Sequence, residues 1–207
     1  MIRPPGLRGV AFGSAADGDG RLDSEARRRI SATLGIPPDW AYLRQVHGSR
    51  VRRAAEPGLQ GDGDALFTTC PGLPLAIGTA DCYPVALEGL GAIGLAHMGW
   101  RGAAAGVVGV LRAAMEAAGA APERAAVGPG IGPCCYQVGA EVLAELGDYR
   151  AFTRRGAEAV DLAAAAVAAL EGLEVWRADT CTCCGNGYRS FRRDGTRLRQ
   201  VAVAWLA

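Results

Sequence analysis

The chain holds only two histidines, each in a short glycine-flanked phrase: His47 in RQVHG and His97 in AHMGWRG. Between them, ADCYP carries Cys82. Two imidazoles and a thiolate make a zinc set with an open fourth position. Zinc held this way lowers the pKa of a bound water to about 7 and supplies hydroxide at neutral pH. His2Cys is also the core of a blue-copper site, for which Met98 suggests an axial ligand. On a strand, however, neighbours 97 and 98 point to opposite faces, which discounts Met98. A multicopper cluster needs many more histidines than two. Zn2+ is therefore the expected ion and Cu2+ the alternative. Taken singly, a lone His or Cys is more simply a packing residue; the shared strand-end, glycine-flanked setting of the two histidines is what points to a site.

The elements around these residues suggest how they meet. A hairpin is expected between ADCYP and AHMGW, with its turn around EGLG at 88–91. Centred between Gly89 and Leu90, that turn sets Cys82 opposite His97, about 4.5–5.5 Å apart at Cβ. Pro84 lacks an N–H, so its strand is expected to be an edge or irregular there.

The other cysteines are Cys70, the pair Cys134–Cys135, and Cys181, Cys183 and Cys184 in CTCC. Cys181 and Cys184 have CxxC spacing, which with Cys134 or Cys135 would suit a second zinc; thiols buried in tight loops are the plainer explanation. DGDGRLDSEARR opens like a calcium loop but has Leu22 at the glycine position and Arg28 at the terminal glutamate position. GPGIGP, 128–133, is no dinucleotide fingerprint and reads as a rigid turn. RSFRRDG, 189–195, is a basic turn expected to lie at the surface. The zinc-deaminase HxE element is absent.

Composition narrows the function classes. The net charge is +1 with no long basic run, which argues against nucleic acid and acidic membranes as partners. All 22 cationic residues are arginine, so lysine Schiff-base chemistry has no candidate. No signal-peptide pattern opens the chain, and LAAAAVAAL at 162–170 is too short to span a bilayer. A cytoplasmic protein is expected, in a reducing compartment that favours metal-binding or catalytic cysteines over disulfides. The oligomeric state is not legible.

Strands are expected at 7–12, 41–46, 65–69, 73–79, 84–89, 91–98, 125–127, 174–178 and 199–206. Helices are expected from Asp23 or Ser24 to Leu34, from Ala103 to Ala118, near 139–146 and near 158–170. Strands and helices come in blocks rather than in alternation, which favours an α+β class over a doubly wound parallel sheet.

Six phrases in order, RQVHGSRV, GDALFTT, TADCYPVAL, AHMGWRG, VGPGIGPCCYQVG and DTCTCC…YRSFRRDG, resemble the laccase-domain family, also called polyphenol oxidase or peptidoglycan editing factor. The likeness covers roughly residues 40–200. It implies a single α+β domain over 1–207 with mixed sheets flanked by helices, and zinc on His47, Cys82 and His97. It further implies an enzyme on small molecules: phosphorolysis of adenosine, inosine or methylthioadenosine with phosphate, or adenosine deamination. Other names within the family imply copper-dependent phenol oxidation, or hydrolytic editing of a peptidoglycan precursor with Cys82 as nucleophile and a histidine as base. A non-enzymatic metal-binding protein with a degenerated substrate loop is a further alternative. In the deaminase reading Asp81 shuttles the proton, and Arg101 binds phosphate or a developing negative charge. The chain departs from the family pattern in FGSAADGDGRLD, where an expected arginine is missing and Arg21 is the substitute, and in Gln137, which stands where a carboxylate is usual.

Overall fold

The computed structural model describes residues 1–207. Two large mixed sheets lie face to face. One has six strands in the order β12-β9-β7-β8-β5-β3: β12 (Glu174–Arg177), β9 (Pro122–Val127), β7 (Tyr83–Gly89), β8 (Ala92–Met98), β5 (Ala65–Thr68) and β3 (Val51–Arg53). The other has five in the order β1-β13-β6-β2-β4: β1 (Val10–Phe12), β13 (Gln200–Ala204), β6 (Leu75–Thr79), β2 (Ala41–Arg44) and β4 (Gly58–Asp62). A separate hairpin joins β10 (Arg150–Phe152) to β11 (Glu158–Val160). With six helices this is the α+β fold with mixed sheets that the block pattern predicts.

Alternation along the strands builds the layers. Ala86 of β7 with Ile93 and Leu95 of β8 meets Leu75 and Ile77 of β6 between the sheets. Val85 and Leu87 face the other way, onto α3 (Val107–Ala117) through Val108, Leu111 and Met115 and onto α5 (Leu162–Ala168) through Leu162 and Ala166. Gly94 lets α3 approach, since a Cβ there would stand 2.7 Å from Met115 Sδ. On the outer face of the five-stranded sheet, Ile30 of α1 (Ser24–Leu34) packs on Ala76, Val201 and Val203. Central strands buried on both faces read as continuous apolar runs, which is why the sequence shows them plainly.

Helix α1 has its expected ends: Asp23 caps the amides of Glu25 and Ala26, and Gly35 stops it at φ 69°. The helix expected over 103–118 is two: α2 (Trp100–Ala104) and α3, broken at Gly106, whose φ is 69°. The helix expected near 158–170 starts later, because 158–160 pairs as β11 and Asp161 caps α5. α4 (Ala140–Leu146) lies where expected, and α6 (Phe191–Asp194) is a short turn inside the basic phrase.

The hairpin register also differs. Pro84 pairs with His97 and Gly89 with Ala92, so the turn is Leu90–Gly91. Gly91 takes a left-handed φ of 73°, as a tight turn of this kind needs at its second central residue. Gly89 is needed for another reason: a Cβ there would lie 2.5 Å from the Ala121 carbonyl oxygen. Moving the register by two keeps every side chain on its face. Pro84 stands in an interior strand, β7. It falls beyond the last β7–β9 pair, Val85 with Val127, and its carbonyl accepts the Gly128 amide at 2.8 Å. Opposite Gly128 it accepts without donating in return, so the one bond it forgoes lies at the very end of the ladder.

Candidate metal centre

The chain passes from the five-stranded to the six-stranded sheet at three places on one edge: between β2 and β3, between β4 and β5, and between β6 and β7. The first crossing carries His47, the second Asp64, the third Asp81 and Cys82. His97 comes from the end of β8, on the face shared with Ile93 and Leu95. Sharp crossings require unusual backbone, and His47 (φ 62°) and Asp81 (φ 87°) both occupy the left-handed region. The ligand atoms of His47, Cys82 and His97 all lie within 4.8 Å of one another. The two imidazoles meet edge to face, centroids 4.8 Å apart.

Asp64, given no role in the sequence reading although it lies in the quoted GDALFTT, organises this trio. It continues the β5–β8 register (Ala65 with Ala96) to stand opposite His97, whose amide donates to the Asp64 carbonyl at 2.7 Å. Its carboxylate is fully buried and lies 2.9 Å from His97 Nδ1. It also accepts the backbone amides of Val46, His47 and Gly48 at 3.2, 2.9 and 2.7 Å. One carboxylate thus fixes both the ring of His97 and the loop of His47. Burial alone would raise the Asp64 carboxyl; the hydrogen bonds from His97 and from the Gly48 and His47 amides outweigh it and hold it below the usual range. Because an ionised carboxylate only accepts, Nδ1 carries the proton and Nε2 is left as a ligand atom. Burial pushes the His97 imidazole down, against the Asp64 bond.

The trio is graded in exposure: His97 is buried, Cys82 half-buried, His47 exposed. Burial, then the Asp81 charge, pushes the Cys82 thiol up to about 12, with Arg199 pulling the other way. A lone thiol there stays protonated at neutral pH, whereas a cation at the point the three share would favour the thiolate. Gly99 leaves room for the sulfur: a Cβ there would sit 3.0 Å from Cys82 Sγ and 3.3 Å from His47 Cδ2. The donor set and its clearance fit a transition metal with a position open toward solvent.

The other residues singled out lie around this centre. The Asp81 carboxylate accepts from Thr182 Oγ1 at 2.7 Å, Ser190 Oγ at 3.1 Å and the Arg192 amide at 2.7 Å. Arg101 is exposed, its guanidinium 4.2 Å over the Trp100 ring and 3.8 Å from Glu141. Arg21 is committed elsewhere, to Asp19 at 2.7 Å and to Gln45, whose amide in turn pairs with the backbone of Gly78. Met98 packs in the helix-side core, away from the trio. The GPGIGP phrase is a packing turn, with Gly130 against the Tyr83 ring and Tyr83 Oη donating to Ile131 O at 3.0 Å. Gln137 is exposed, and its carbonyl accepts from Arg192 at 2.8 Å. Tyr136, beneath the Arg192 guanidinium at 5.2 Å, was also missed; burial, then the Cys82 charge, raises its phenol to about 12.

Residues 11–207 match the family model described as multi-copper polyphenol oxidoreductase laccase. The chain belongs to that family. Among its laccase-family relatives, the purine nucleoside phosphorylase of Deinococcus radiodurans is 43% identical over 202 residues, which is 91% of this chain and 79% of that protein. The purine nucleoside phosphorylase YfiH of Escherichia coli K12 is 33% identical over 88% of this chain and 80% of its own length. The crystal structure of YlmD from Geobacillus stearothermophilus superposes with a TM-score of 0.83 at 26% identity, covering 100% of this chain and 98% of that one. No helix of this laccase-family chain is long and apolar enough to cross a membrane.

Proposed function

We propose that this protein is a zinc-dependent enzyme acting on purine nucleosides, by phosphorolysis and, as a further activity, by deamination of adenosine. The observation that carries the reading is the convergence of His47, Cys82 and His97 under one organising carboxylate, Asp64. The names of the relatives support the substrate class. When bound, zinc supplies Lewis-acid polarisation of an oxygen ligand. The chain's own groups do the rest. Buried His97 and half-buried Cys82 form the floor of the site, and His47 forms its exposed side. Arg101 is the anion-binding residue, with Arg192 beside Tyr136 as its neighbour for phosphate. Asp81 enters the proposal through the donors that engage its carboxylate: it holds Arg192 and the 182–190 segment in place, and that commitment favours positioning over proton transfer.

A second reading has one observation in its favour. Cys82, His97 and Asp64 stand in the order nucleophile, base and orienting carboxylate, as a cell-wall precursor hydrolase would use them. The third ligand, His47, favours metal binding instead, and a thiol raised by burial makes a poor free nucleophile.

The test is incubation of metal-replete protein with adenosine and with inosine, with and without phosphate. Free base together with ribose 1-phosphate, appearing only with phosphate and lost in His47→Ala, is the expected result. Inosine formed from adenosine without phosphate marks deamination. Absence of turnover on any purine nucleoside overturns the proposal, and a metal-free protein whose Cys82 alkylates rapidly at neutral pH selects the hydrolase.

A further inference from the structure

A second cysteine cluster stands apart from the histidine trio. Cys134 and Cys135 lie in a tight turn in which the amides of Cys135 and Tyr136 both donate to the Gly132 carbonyl at 3.1 Å. Cys181 and Cys184 lie in a CxxC turn closed by the Gly185 amide on the Cys181 carbonyl at 2.8 Å. Gly185 is required there, because a Cβ would stand 2.5 Å from that carbonyl oxygen. The two turns, some fifty residues apart in sequence, are stitched by backbone: Gly130 bridges Cys181, and the Thr182 amide donates to Gly130 O at 2.9 Å. All four sulfurs lie within 4.8 Å of one another. Cys134 Sγ is 3.7 Å from Cys135 Sγ and 3.8 Å from Cys184 Sγ.

Those spacings are informative. Four sulfurs placed tetrahedrally about zinc at 2.3 Å are ~3.8 Å apart along each edge. Cys181 Sγ moreover accepts the Gly132 amide at 3.2 Å, the kind of contact that stabilises a thiolate. Four thiols gathered to within 4.8 Å of one another, two of their spacings at the tetrahedral edge length, lack only a cation at their centre.

We propose that Cys134, Cys135, Cys181 and Cys184 form a structural tetrathiolate site for a thiophilic divalent cation, zinc. Four protein ligands leave no open position, so this ion staples rather than catalyses. Its binding releases the thiol protons to solvent. What it staples is the segment next to the first centre: Thr182, between two of the ligands, is buried and donates to Asp81, the neighbour of Cys82. The inference does not depend on what the histidine trio binds.

The test counts metal in protein purified under reducing conditions with zinc supplied. His47→Ala/His97→Ala is expected to retain one zinc ion per chain, and Cys181→Ser/Cys184→Ser to hold one fewer than wild type. Should the serine variant fail to fold, the His47→Ala/His97→Ala protein is loaded with cobalt(II). Intense near-ultraviolet thiolate-to-cobalt absorption with an all-sulfur first shell by X-ray absorption is expected there. Native alkylation of wild type gives an independent readout, with Cys70 labelled and the four cluster cysteines protected until a chelator is added. Metal content that vanishes entirely in His47→Ala/His97→Ala, or a Cys134–Cys184 disulfide in the reduced preparation, overturns the proposal.

Discussion

Asp64 stands directly across the β5–β8 pairing from His97 and touches it twice, through its backbone carbonyl and through its carboxylate. The same carboxylate gathers three consecutive amides of the His47 loop. Asp64→Asn keeps the shape and removes the charge. Partners of this kind behind a ligating histidine are worth about 10–100-fold in metal affinity. Zinc competition against a chromogenic chelator is expected to show a loss in that range with the fold retained, read by circular dichroism. An unchanged affinity would mean that Asp64 only shapes the loop.

The two partners also set a pH dependence for the metal-free protein, and both act in the same direction. His97 has a folded pKa below its ordinary 6.5, so its share of stability is present above 6.5 and is lost as pH falls through the folded value. Asp64, held below its ordinary 3.8, contributes above 3.8 and is lost further down. Denaturant melts of the apo protein should therefore show stability falling from pH 6.5 downward in one step and again below 3.8. In His97→Ala the upper step should disappear. A wild-type midpoint flat between pH 7 and 5 would contradict the burial of a neutral His97.

Some of this was legible in the sequence and some was not. The grouping of His47, Cys82 and His97 was visible because histidine is so scarce here, and the buried central strands were visible as apolar runs. β3 and β4, at the outer ends of the two sheets, read VRR and GLQGD. Edge strands facing water need no apolar alternation, so they leave no periodic signal. The hairpin register could not be fixed because EGLG offers two glycines; packing against Ala121 claims Gly89 and backbone twist claims Gly91. Asp64 had no local pattern at all. Its role arises only when three crossings between sheets fall on the same edge, a tertiary fact that spacing does not carry.

Gly99 tests how tightly the centre is packed. Its backbone, φ −86° and ψ −179°, suits any residue, so alanine brings no strain of its own. The added methyl nevertheless meets Cys82 Sγ at 3.0 Å and His47 Cδ2 at 3.3 Å. Gly99→Ala is expected to displace both ligands by a few tenths of an ångström and weaken zinc binding, leaving the melting temperature of the apo protein within a few degrees. Wild-type zinc affinity in the variant would show that the ligands have slack.

Arg101 and Arg192 separate binding from structure. The Arg101 side chain is 60% exposed, and its loss should change stability by no more than about 0.5 kcal/mol. If it contacts phosphate, Arg101→Ala raises KM for phosphate and leaves KM for the nucleoside near wild type. Arg192→Ala removes in addition the Gln137 carbonyl contact and the cover over Tyr136, so it should raise KM for phosphate and lower the melting temperature together. Steady-state kinetics with each substrate varied in turn decides this; equal effects on both KM values would remove Arg101 from the phosphate site.

Asp81 presents the sharpest choice between two roles. Its carboxylate receives two hydroxyls and one amide, and its φ of 87° is one that asparagine adopts almost as readily. In Asp81→Asn, one oxygen can keep Ser190 and the Arg192 amide while the new NH2 donates to Thr182 Oγ, whose hydroxyl turns to accept. The network survives without its charge. A positioning Asp81 therefore predicts that Asp81→Asn retains most of kcat and the wild-type pH profile. Asp81→Ala strands three donors, at about 1–3 kcal/mol for each one left buried without a partner, and is expected to unfold the 180–192 segment first. A proton-carrying Asp81 predicts the opposite for asparagine: kcat falls by orders of magnitude and one limb of the pH profile disappears. Since all three donors are already in place around the carboxylate, retention of the profile in Asp81→Asn is the expected outcome.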